Sequence, residues 1–213
     1  MSLQDKLDDI TARTRNLVQP ERLELSERAI GELFATGIED RLLKAGEAAP
    51  AFTLPDANGK LVRSADLLAL GPLVVCFFRG RWCPYCVTEL ESWRDLFPAV
   101  RERGALLVAI SPQTVRQNDF TVTQHKLRFP LLRDEGSAIA AEFGAAYSVP
   151  GYMQGYYRSI LVNIPFINGE PSWRLPVPAT FVIGQDGVVR WSEGHADFRV
   201  RPEPAEALKA LER

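Results

Sequence analysis

Apolar residues recur at helical spacing over the first 45 positions. Leu3, Leu7, Ile10 and Leu17 form one run; Leu23, Ile30, Leu33, Phe34 and Ile38 form a second, with Pro20 between them. This pattern predicts an N-terminal helical extension over 1–45. Its apolar stripe must cover something, either the chain's own domain or a second subunit in a homodimer, and the pattern leaves both open. Residues 46–60, GEAAPAFTLPDANGK, predict a linker entering a short hairpin that turns at Asn58-Gly59. From there the main domain, 46–213, alternates short apolar runs with helical ones. Leu73 to Phe78 and Ala105 to Ile110 read as buried strands, with a helix opening at Cys83-Pro84, another near Thr114 to His125 and a short one near Ser137 to Phe143. Residues 147–176 mix Gly and Pro with Tyr, Phe and Ile and fit neither period, so they read as an insertion able to fold over a site. ATFVIGQDGVVRW, 179–191, predicts two strands around Asp186-Gly187, and PEPAEALKALER an amphipathic C-terminal helix. Strands alternating with helices indicate an α/β domain with a mixed sheet covered by helices on both faces.

With 213 residues, 46% of them hydrophobic, the chain can bury a sizeable core. Its longest apolar runs are far shorter than the roughly 20 residues that cross a bilayer, which argues against a membrane span. The opening MSLQDKLDDITARTRN carries interspersed acids where a secretory signal needs an apolar core, so a cytoplasmic location is expected. A net charge of −2 gives no bias towards nucleic acid.

Three cysteines, Cys76, Cys83 and Cys86, are too few and too clustered for a disulfide framework. Cys76 lies within an apolar run and reads as a small core residue. Pro84 suits the first turn of a helix, which puts Cys83 at the N-cap and Cys86 in the first turn. Unpaired backbone N–H groups there stabilise a thiolate, and Arg79 and Arg81 stand ready in the preceding loop to add positive charge. The three-residue spacing also lets the two sulfurs form a disulfide. Zinc is the competing reading of a Cys-x-x-Cys pair, but His125 and His195 stand singly and supply no second pair of ligands. No metal, nucleotide or flavin motif is visible, so no cofactor is expected. Trp82 beside Cys83 reads as a cover for the site or a partner contact. Asp197, Arg199 and Arg201 form a charged cluster before the last helix that reads as a solvated face or a local ion pair.

A buried strand, Trp82-Cys83-Pro84-Tyr85-Cys86 opening a helix, and a later Val177-Pro178-Ala179-Thr180-Phe181 run entering a strand together resemble the thioredoxin fold. The resemblance implies a cis peptide bond at Pro178, facing the cysteines. A longer likeness covers roughly 46–192: GEAAPAFTLPDANGKLVRSADL and AISPQTVRQNDFTVTQHKLRFPLLRDEGSAIAAEFGA resemble the peroxiredoxins, the alkyl hydroperoxide reductase and thiol-specific antioxidant family, in an atypical branch. Laying the family pattern Pro-x-x-x-Thr-x-x-Cys on the chain puts Arg79 at the proline, Cys83 at the threonine and Cys86 at the peroxidatic cysteine. Glu89 matches the glutamate that follows. The family arginine falls on or near Pro178, close to Thr180, and is absent, leaving Arg79 or Arg81 as substitutes.

The resemblance implies a thiol peroxidase. Cys86 would attack hydrogen peroxide or an organic hydroperoxide, Cys83 would resolve the sulfenic acid, and thioredoxin or a similar dithiol would reduce the disulfide. The alternative is a thioredoxin-like thiol-disulfide oxidoreductase in which the more exposed Cys83 attacks first, with Pro178 shaping the groove. A weakly catalytic redox sensor, suggested by the missing peroxide-orienting residues, is a third.

Overall fold

The structure is a computed structural model that describes residues 2–211. Helix α1 (Leu3–Leu17) opens on a reciprocal cap: the Asp5 N–H donates to Ser2 Oγ (3.0 Å) and the Ser2 N–H to Asp5 Oδ2 (2.8 Å). Pro20 starts α2 (Pro20–Ala35), and the short α3 (Ile38–Arg41) follows. The expected hairpin is β1 (Thr53–Pro55) paired with β2 (Leu61–Arg63), leading into α4 (Ser64–Leu68).

The chain then builds the layer that carries the cysteines, in the order β3 (Leu73–Phe77), α5 (Pro84–Glu102), β4 (Leu106–Ser111), α6 (Val115–His125), β5 (Leu131–Arg133) and α7 (Ala138–Glu142). Two strands, β6 (Ala146–Ser148) and β7 (Arg174–Pro176), pair as an antiparallel ribbon whose connection holds α8 (Gly151–Ser159) and α9 (Ile164–Asn168). Strands β8 (Ala179–Ile183) and β9 (Val189–Gly194) return to the main sheet, and α10 (Pro204–Ala210) follows them.

The main sheet has the order β5-β4-β3-β8-β9. β3, β4 and β5 run parallel, while β8 is antiparallel to both β3 and β9. β3 is central and wholly buried, as its unbroken apolar sequence requires. Its pleat sends Val74 and Cys76 to one core, with Leu7, Trp93 and Leu208, and Leu73, Val75 and Phe77 to the other, with Phe143 and Phe181. The end of β3 therefore aims the following loop and the start of α5 at one point above the sheet.

Around that point, α1 packs on α5, with Leu3 and Leu7 buried against Leu90 and Trp93. Glu203, ahead of α10, accepts from the Leu3 and Gln4 N–H groups (3.2 and 3.0 Å) and ties the two ends of the chain together. Helix α2 lies over α8, where Leu25 and Ala29 meet the cluster of Val149, Met153 and Tyr157. The Val177–Pro178 bond is trans, since no cis peptide occurs among the described residues; this corrects the thioredoxin-based expectation. The chain runs extended from β7 straight into β8, with the Val177 N–H donating to Ala145 O (2.6 Å), and a trans bond spans that step.

Candidate active site

Cys83 is the N-cap of α5 and Pro84 opens its first turn, as the sequence predicts. The loop before it bends at Gly80, whose φ of +140° suits glycine and where a Cβ would lie 2.7 Å from the Trp82 indole nitrogen. Gln113 fixes the same loop: its Oε1 accepts the Arg81 N–H (2.9 Å), and its Nε2 donates to Asn118 Oδ1 (2.8 Å) and Thr121 Oγ1 (3.1 Å).

Both thiols are free and buried, Cys83 at 2% exposure and Cys86 at 0%. Cys86 Sγ accepts from Arg201 Nη2 (3.2 Å) and from the Arg79 N–H (3.4 Å). Burial works against its ionisation. The hydrogen bond from Cys83 and the charges of Arg201 and Arg79 outweigh that and hold Cys86 well below the usual thiol range. Burial pushes Cys83 up, and its hydrogen bond to Cys86 and the neighbouring negative charge push it further. The pair thus shares one negative charge, carried by Cys86, with Cys83 as donor.

Arg201 also donates to Glu89, the two side chains forming a fully buried ion pair, and to Phe198 O (2.8 Å). Glu89 sits on the inner face of α5 beside Cys76, whose sulfur is 3.6 Å from Glu89 Oε1, and burial raises its pKa to about 7. Cys76 is a core residue whose thiol burial raises well above its usual range. Thr180 lies directly opposite Cys76 in the β3–β8 register, beneath the site.

Of the two loop arginines, only Arg79 enters the site. It is 2% exposed, donates to the Tyr157 hydroxyl, and stacks over Phe198 (4.5 Å) and Trp82 (4.8 Å). Arg81 turns outward to Gln117 (3.3 Å) and Phe120, which corrects its candidacy. Trp82 is half-buried and meets Tyr157 edge to face at 5.2 Å, so it forms part of the cover over Cys83. The cluster at 197–201 also requires correction. Arg199 does pair locally, with Asp197 (2.8 Å) and Glu27 (2.9 Å), but Arg201 turns inward and is the strongest cation on Cys86. Each histidine is occupied by a glutamate, His125 by Glu91 and His195 by Glu193.

A cavity of about 180 Å³ opens over Cys83 and Pro84, roofed by Thr11, Leu23, Tyr156 and Phe198. The site thus consists of a thiolate held by the Arg201 guanidinium and the Arg79 backbone N–H, with the Arg79 charge near by, a neutral thiol beside it and a small chamber above.

Residues 45–192 match the AhpC/TSA family. The chain belongs to that family. A putative peroxiredoxin of Mycobacterium tuberculosis is 32% identical to it over 120 residues, covering 56% of this chain and 78% of the relative. The thiol-disulfide oxidoreductase ResA of Bacillus anthracis is 26% identical over 149 residues, 69% of this chain and 68% of its own. Among solved structures, the crystal structure of peroxidoxin BcpB from Mycobacterium tuberculosis superposes with a TM-score of 0.63 at 26% identity, covering 80% of this chain and 97% of that one. Membership of the AhpC/TSA family and these likenesses establish a thioredoxin-like fold in its peroxiredoxin variant, and a thiol peroxidase or oxidoreductase chemistry.

Proposed function

We propose that Cys86 is the peroxidatic thiolate of a thiol-dependent peroxidase and that Cys83 resolves it within the same subunit. The observation that carries this reading is the hydrogen bond from Arg201 to Cys86 Sγ, which supplies the cation that the family pattern lacks near Pro178. Cys86 attacks the terminal oxygen of a hydroperoxide, which keeps its hydrogen as the S–O bond forms; the O–O bond breaks, and the leaving alkoxide or hydroxide takes a proton from solvent and departs as the alcohol or water. Cys86 becomes a sulfenic acid, and Arg201 and Arg79 stabilise the negative charge as it passes to the leaving oxygen. Cys83 then attacks the sulfenic sulfur, and its proton leaves with the hydroxide as water, giving a Cys83–Cys86 disulfide. A thioredoxin-like dithiol returns both thiols, which fits a reducing, cytoplasmic setting.

Disulfide exchange led by Cys83 is the second reading, favoured by the likeness to ResA. Against it stand the burial of Cys83 and its raised pKa, which leave little thiolate there to attack a protein disulfide. Single-turnover peroxide consumption separates the two. Cys86→Ser should abolish it, whereas Cys83→Ser should consume one equivalent and accumulate a sulfenic acid that dimedone traps. Full consumption by Cys86→Ser would overturn the assignment.

A further inference from the structure

A second cavity, of about 480 Å³, lies between α2 and the segment holding β6 and α8, within the roughly 300–1,000 Å³ typical of small-molecule sites. Its apolar walls are Ala29, Ile30 and Leu33 on one side and Val149 and Met153 on the other. Arg79, Tyr157 and Phe198 line both this cavity and the chamber over Cys83, so they form the partition between them.

Arg79 is the anomaly in that partition. A buried cation is costly unless an anion and hydrogen bonds satisfy it. Arg201 has Glu89, and Arg199 has Asp197 and Glu27. The Arg79 guanidinium has the hydroxyls of Tyr157 and Tyr147 and aromatic faces but no carboxylate, its buried Nε has no acceptor, and the anion that offsets its charge, the Cys86 thiolate, is hydrogen-bonded by the Arg201 guanidinium instead. Its link to Cys86 runs through the backbone N–H. Among the described residues lining the cavity only Glu32 bears a carboxylate, and that group is held by Arg28 (2.7 Å) and by the Tyr152 hydroxyl (2.6 Å). Arg41 and Arg174 line the same space and add to its positive charge.

We propose that the larger cavity binds an amphipathic carboxylate, its apolar chain along α2 and its carboxylate on Arg79. The site is distinct from the thiol chamber and stands on geometry alone, so it holds or fails independently of the peroxidase reading.

The test is calorimetric titration of the reduced full chain with decanoate, and in parallel with decanol, which keeps the chain and removes the charge. Decanoate should bind one to one and at least about tenfold tighter than decanol, the factor expected of one charged hydrogen-bonding partner. Arg79→Met should remove that advantage and leave decanol unchanged. Ala29→Trp, on a helix with no fully buried residue, should fill the cavity and abolish both. Equal binding of the two probes, decanoate binding unaffected by Ala29→Trp, or no decanoate binding at millimolar concentration would overturn the proposal. Should Arg79→Met fail to fold, the probe comparison and Ala29→Trp still decide it.

Discussion

Cys86 and Cys83 have the same chemistry and nearly the same burial, yet the fold gives them opposite states. The hydrogen bond from Cys83 to Cys86 sets the direction of the split, and Arg201 reinforces it, standing 3.2 Å from the Cys86 sulfur and 4.0 Å from that of Cys83. Losing a charged hydrogen bond of about 1.5–3 kcal/mol raises a pKa by about one to two units. Arg201→Met should therefore move the pH profile of Cys86 alkylation upward by about one to two units, with the full 10- to 100-fold slowing seen only at pH below the wild-type midpoint, whereas Arg81→Ala, on the outward-facing side chain, should leave the profile unchanged. Rates of iodoacetamide labelling across pH check this. Glu89 makes a second prediction. Burial lifts it to about 7 in the folded chain, against 4.5 for a free carboxyl, with Arg201 pulling it down and Cys86 pushing it up. Between those values the folded chain holds a proton that the unfolded chain has released, so this group makes stability fall as pH rises from about 4.5 to about 7. Urea midpoints measured across that range should show the decline in the reduced wild type and a shallower one in Glu89→Gln; equal slopes would clear Glu89 of the effect.

Helix α1 is as much a part of the site as α5 is. Thr11 lies 3.1 Å from the Tyr85 hydroxyl, one residue from Cys86, and Leu7 is wholly buried between the two helices. Leu7→Ala should cost about 2–5 kcal/mol, read as a lowered urea midpoint; a smaller loss would mean that α1 is only loosely docked. The elements that generate the reactive helix were legible in the sequence, because β3 and β4 are buried on both faces and Pro84 marks the start of α5. The connection between β6 and β7 was not. Gly151 and Gly155 weaken the helical signal of α8, which is held by Met153 and Tyr157 packing inward and by α2 above. Arg201 was illegible for a different reason. It stands 115 residues from Cys86, and its neighbours Asp197 and Arg199 do form the ordinary ion pairs that such a cluster suggests. Only the path of the chain after β9 turns one arginine of that cluster inward.

Across the whole molecule, the sheet, α5 and the segment after β9 gather four charge-bearing groups in one buried volume, Arg79, Arg201, Glu89 and Cys86, beside the neutral Cys76, Cys83 and Tyr157. Above about pH 7, two positive and two negative charges cancel there. Closing the Cys83–Cys86 disulfide removes one negative charge and leaves a buried cation uncompensated, while a ring this small adds little chain-entropy stabilisation in return. The oxidised protein should therefore melt below the reduced one, by about 2–4 °C per kcal/mol of difference; an equal or higher melting temperature would show that the charges rearrange to absorb the loss. The same imbalance bears on the protein's electrochemistry. Electrons flow more readily into a disulfide whose reduced form is the stabilised one, so the charges around Cys86 should draw the Cys83–Cys86 couple towards the dithiol, and Arg201→Met should shift its equilibrium with a glutathione buffer the other way.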